Sequence, residues 1–126
     1  MTEAGLKVIF NDMAALKINY DFLEWKGKLV YPYFVGEYQE VPTPNECGEV
    51  ETNFILTGFA RGQNIDLERE KKKIKKFYPK TEGRTVITED GTVMAIFYSD
   101  SFMVPTGNEE LKKMQINLTI KEWSVN

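Results

Sequence analysis

Apolar residues recur at two different periods along this chain, and the change of period marks its elements. Over residues 2–17, Leu6, Ile9, Met13 and Leu16 fall three or four positions apart, which places them on one face of a helix. Thr2 is positioned to cap its start. Gly5 weakens the first turn, and Lys7, Asn11 and Asp12 are expected to face water. From Ile18 the pattern becomes aromatic, with Tyr20, Phe22 and Trp25, residues that favour a pleated, half-buried surface. Lys26-Gly27-Lys28 reads as a turn, and the Val- and Tyr-rich stretch after it suggests a hairpin of residues 19–25 with 29–38. Pro32 cannot donate to a ladder and is expected at an edge or bulge.

Residues 39–48 hold Pro42, Pro44, Asn45 and Gly48 and read as a loop or long hairpin tip. Residues 49–60 alternate as a strand, with Val50, Thr52, Phe54 and Leu56 on one face. Asn64 or Asp66 is a natural N-cap for a second helix, whose Leu67, Ile74, Phe77 and Tyr78 form a narrow apolar stripe and which Pro79 stops. Residues 84–88 and 92–98 flank Asp90-Gly91 as a hairpin. Residues 99–110, with Pro105 and Gly107, read as a loop. In the last strand Met114, Ile116, Leu118 and Ile120 alternate with Gln115, Asn117, Thr119 and Lys121, and Trp123 falls on the polar face. The expected fold is α+β in the order α-β-β-β-α-β-β-β: one domain over residues 1–126, with a central mostly antiparallel or mixed sheet and two flanking helices on one side. Gly36, Gly58 and Gly62 are expected at bulges or strand ends.

Composition narrows the chemistry. The 126 residues include no histidine, which excludes Ser-His and Cys-His nucleophilic systems and, with a single cysteine, the usual zinc sites. Cys47 lies in a turn-like stretch without a basic neighbour and reads as a plain thiol. A net charge of -3 argues against sequence-independent DNA binding. No apolar run approaches the roughly 20 residues needed to cross a bilayer, and the N-terminal stretch lacks a signal-peptide core, so no membrane association and cytoplasmic synthesis are expected. No glycine-rich phosphate loop or EF-hand spacing is present. The expectation is a non-enzyme with no catalytic residues, cofactor or metal.

What remains suggests contact surfaces. Acidic residues gather between Glu37 and Glu51, including Glu40 and Glu46. Lysines gather on the second helix, with Lys72, Lys73 and Lys76 among them, and read first as a solvated face balanced by Asp66, Glu68 and Glu70. Two complementary patches on one subunit suit a heterologous, head-to-tail contact, which closes into a ring when the rotation allows. Phe102, Met103 and Val104 are apolar within a polar segment, either tucked onto the core or presented to a partner.

The stretches Tyr20-Asp21-Phe22-Leu23-Glu24-Trp25 and Tyr31-Pro32-Tyr33-Phe34-Val35-Gly36-Glu37-Tyr38 resemble the small tail terminator (tail completion) proteins of siphophages and prophages of Gram-positive bacteria. Phe54-Ile55-Leu56-Thr57-Gly58, the lysine-rich helix, Gly91 after an acidic turn and the closing strand to Trp123 follow in the same order. The resemblance implies a sheet with two flanking helices and a homo-oligomeric ring, usually of six subunits, at the head-proximal end of the tail tube. It implies as partners the chain itself, the tail-tube protein and the head–tail connector protein, with DNA passing only transiently through the lumen. It implies a place in the virion tail after assembly in the host cytoplasm, and no catalysis. Two other readings stay open: another tail-tube or connector component, and a small ligand-binding or enzymatic α+β domain with carboxylates at its mouth.

Overall fold

The computed structural model describes residues 1–41 and 49–123. Among these residues two helices and six strands follow in the expected order: α1 (Glu3–Ala15), β1 (Tyr20–Phe22), β2 (Tyr33–Val41), β3 (Glu49–Arg61), α2 (Ile65–Phe77), β4 (Arg84–Ile87), β5 (Val93–Val104) and β6 (Leu111–Trp123). The strands form one mixed sheet in the order β1-β2-β3-β6-β5-β4.

The longest alternating runs hold the centre. β3 and β6 pair antiparallel from Glu49↔Trp123 to Arg61↔Leu111. Because side chains alternate across a strand, Met114, Ile116, Leu118 and Ile120 of β6 share one face with Phe54, Leu56 and Ala60 of β3, and all are buried. Ile9 and Met13 of α1 and Leu67 and Ile74 of α2 join them in one core, so both helices lie on this inner face. Burying each such side chain stabilises the fold by roughly 1.5–3 kcal/mol. Thr2 caps α1 as expected, its Oγ1 accepting from Gly5 N at 3.0 Å. Asn64 stands at the N-cap of α2 but makes no side-chain cap bond.

Four expectations are corrected. β1 does not form a hairpin with β2; it has three residues and pairs with β2 in parallel, Tyr20↔Phe34 to Phe22↔Gly36. The cause is local: Leu23 leaves the extended conformation at φ +68, and its N–H bonds to Gly36 O at 2.8 Å. Residues 23–32 then loop back, held by Trp25 Nε1 donating to Lys28 O at 3.1 Å and Lys26 N to Asp21 Oδ2 at 3.0 Å. Pro32 stands just ahead of β2, outside any ladder.

β5 does not end at Tyr98. A register shift between Tyr98 and Asp100 absorbs the extra residue, and the strand pairs with β6 as far as Val104↔Lys113. Residues 99–104 of the run that read as a loop are therefore a bulged strand, because the full length of β6 offers them a ladder, and residues 105–110 form the connection as expected.

Gly36 and Gly58 lie inside strands, where aromatic rings take the place of a side chain. A Cβ at Gly58 would come within 2.3 Å of the Phe34 ring. Gly62, at φ +94, does end β3 as expected.

Asp12 does not face water. It is 4% exposed, on the core side of α1, for the reason given next.

Candidate functional site

Two polar constellations lie within the core. In the first, Asp12 Oδ2 accepts from Tyr78 Oη at 2.8 Å and from Arg84 Nε at 3.1 Å, and Oδ1 accepts from Arg84 Nη2 at 2.9 Å. The bidentate fork ties α1 to the end of α2 and the start of β4. Arg84 also stacks 4.7 Å over the Phe77 ring. Burial, with the Asp12 charge second, drives the Tyr78 phenol far above its usual range, so it stays a neutral donor. The hydrogen bond from Arg84 to Asp12 raises the guanidinium's affinity for its proton against the opposing effect of burial. Every member is engaged with another, so the group acts as a structural clasp.

The second lies on the inner face where β6 ends. Glu122 is 5% exposed, and among the described residues no donor reaches either carboxylate oxygen in full hydrogen-bond geometry, although the Thr2 N–H lies close enough to favour the charged form weakly. The Met1 ammonium stands 3.9 Å from Glu122 Oε1 and bonds directly to Glu40. Burial raises the Glu122 carboxyl above its usual value, and the ammonium offsets only part of that. The hydroxyl of Thr52 nearby is likewise buried without a partner among the described residues. Among the described residues no group of three or more His, Cys, Asp or Glu is placed to hold a metal ion, and no helix is long and apolar enough to cross a membrane.

The sheet offers a different kind of site. Among the described residues its outer face carries no helix, and it holds an aromatic row. Trp25 and Tyr33 lie 4.8 Å apart by ring centroids, Tyr33 and Phe59 stack at 5.1 Å, and Lys113 sits 5.7 Å over Phe59. Beside this row is a depression of ≈ 270 Å³ lined by Leu23, Val35, Glu37, Thr57 and Phe59. Leu23 is 65% exposed while held at φ +68, a conformation unfavourable for a bulky residue.

Both edges of the sheet are stepped. β1 covers β2 only at residues 34–36, so residues 37–41 have no outward neighbour among the described residues. β4 covers β5 only at residues 93–96. Beyond it, Tyr98 N bonds to Tyr78 O at 3.0 Å, and residues 99–104 are open among the described residues. The ladders align these steps. Through the cross-strand partners, Tyr20, Asp21 and Phe22 of β1 stand level with Met103, Phe102 and Ser101 of β5 at the far edge. Where one edge protrudes, the other is recessed.

The predicted contact residues scatter over this frame. Glu37 lines the depression on the outer face, whereas Glu40 lies on the helix side and holds the Met1 ammonium, so the two do not form one acidic patch. Glu46 lies outside the described residues. On α2, Lys73 pairs with Glu70 at 3.1 Å and Lys71 with Glu68 at 2.6 Å, as a balanced solvated face would. Lys72 and Lys76 are exposed and form no ion pair among the described residues. Phe102 and Val104 point to the outer face and Met103 to the helix side, so the three are not one apolar tip. The depression, Leu23 and the stepped edges were missed at the sequence level. A Leu directly after an aromatic strand, and Glu37 on the strand beside it, were the signals available. No protein-family model and no curated protein matches the chain.

Proposed function

We propose that this chain is a structural phage tail protein that assembles with copies of itself into a ring at the head-proximal end of the tail tube, ends tube growth and presents the head-joining surface. The observation that carries the self-assembly is the pair of stepped sheet edges. An open strand edge is a template for another strand, and it is a liability unless something pairs with it. Two different edges on one subunit make a heterologous contact, and steps that match at the same level allow side-by-side packing without rise, the condition for closing a ring. The tail station is supported by the resemblance of the aromatic β1–β2 region, the lysine-rich helix and the closing strand to tail terminators.

Electron microscopy of concentrated protein, alone and mixed with tail tubes, tests this reading. Discrete rings seated on tube ends support it. Open filaments assign the chain to the tube instead. Protein that neither forms rings nor binds tube ends removes the proposal.

A further inference from the structure

Resting on the self-assembly in the proposed function, we infer that Phe102 of one copy docks beside the Leu23 depression of the next, as β5 of the first adds to β1 of the second. The occupant of the depression is a second copy of this chain, and three observations select it.

The first is level. Asp21, Val35, Thr57, Gln115 and Phe102 form one continuous cross-strand row on the outer face. A neighbour placed edge to edge without axial shift brings its Phe102 to the row that carries Val35 and Thr57 of the depression. The second is backbone complementarity. The open stretch at residues 99–104 is long enough to cover the three residues of β1, and it runs antiparallel to them, so the added strand continues the antiparallel pairing of the sheet interior. The third is exposure without a local reason. Phe102 is 50% exposed and Leu23 65% exposed, at opposite edges of the same face. Leu23 further keeps a left-handed backbone that glycine or asparagine would hold more easily. A buried aromatic anchor in a preformed depression is the usual source of affinity at an interface.

Complementation of two defective chains tests the geometry. Phe102→Asp removes the projecting ring, and Leu23→Asp places a carboxylate in the depression, where aspartate also tolerates the left-handed backbone. Both positions are exposed, and thermal melts within a few degrees of the parent confirm that each variant folds. If Phe102→Asp does not melt normally, Phe102→Ala is read in its place. Sedimentation velocity is run on the parent, on each variant and on their equimolar mixture.

The expected result is that each variant weakens self-association by about 30-fold or more, as loss of an interface anchor does. The mixture forms a one-to-one dimer that grows no further, since only one intact contact can be made between the two chains. Assembly of either variant like the parent overturns the inference. So does a mixture that stays monomeric, because a heterologous contact must complement. A parent chain that is monomeric at every concentration overturns a second copy as the occupant, and leaves the proposed function to be judged on tube ends alone.

Discussion

Two carboxylates are buried among the described residues, Asp12 on α1 and Glu122 on β6 beside it, and they are treated in opposite ways. Asp12 receives three hydrogen bonds from Tyr78 and Arg84. Glu122 has only a weak approach from the Thr2 N–H, outside full hydrogen-bond geometry, and its nearest counter-charge is the Met1 ammonium at 3.9 Å. The contrast separates two roles a buried charge can have. A satisfied carboxylate fixes geometry: the fork on Asp12 accepts one arrangement of α1, α2 and β4, because Asp12 is buried and removing it leaves the buried Tyr78 hydroxyl and the half-buried Arg84 guanidinium without their shared acceptor. An unsatisfied one is a cost carried by the rest of the core, and it makes stability respond to protonation. Thr52 belongs with Glu122, its hydroxyl also buried without a partner among the described residues.

The largest expected effect comes from breaking the satisfied side. Asp12→Ala should lower the free energy of unfolding by about 2–3 kcal/mol, since the buried Tyr78 hydroxyl loses its acceptor while the Arg84 guanidinium, about a third exposed, recovers part of its loss from water. Chemical denaturation at neutral pH measures it. A loss below 1 kcal/mol would show that the clasp contributes little. Tyr78→Phe takes away one donor and keeps the fork, so the loss should be smaller, about 1–2 kcal/mol in the same assay.

The unsatisfied side should respond with the opposite sign. Glu122→Gln is expected to raise stability at neutral pH by about 1 kcal/mol, because it removes a charge that burial disfavours. The pH dependence follows from the raised carboxyl. The folded state holds the proton more tightly than the unfolded state, whose carboxyl titrates near 4.5. Relative to the charged form, the stabilisation is therefore complete below that value and is lost as pH rises through the higher folded one. Melting curves of parent and variant should converge at acidic pH and separate towards neutrality. A constant gap across the range would refute the assignment to ionisation. The smallest effect is expected from Thr52→Val, a near-isosteric exchange that removes the unpaired hydroxyl and should leave stability unchanged or raised by about 0.5 kcal/mol.

How much of this was legible depended on whether a residue's fate is local. The alternation of Met114, Ile116, Leu118 and Ile120 identified the central strand and its buried face, because period-two burial is imprinted directly on the chain. Asp90-Gly91 identified the β4–β5 turn, where Gly91 does adopt φ +84, and Thr2 identified its cap. Asp12 could not be read in the same way. Its partners are 66 and 72 residues away, and an aspartate on a helix looks solvent-facing until those partners are known. The direction of β1 was equally hidden, since apolar alternation does not distinguish a parallel neighbour from an antiparallel one. For the candidate site, Phe102 and Glu37 were singled out from sequence, but as parts of a loop tip and an acidic patch. The register of the sheet is what places them on one face at opposite edges.

By itself the sequence determined the element types and order, the inner face of the sheet, and the absence of histidine chemistry. Each follows from residue identity and from periodicity within a few neighbours. Only the tertiary structure decided which carboxylate is satisfied, which strand edges remain open, and that the steps of those edges align. These depend on pairings between segments distant in the chain, and local pattern carries no record of register across a sheet.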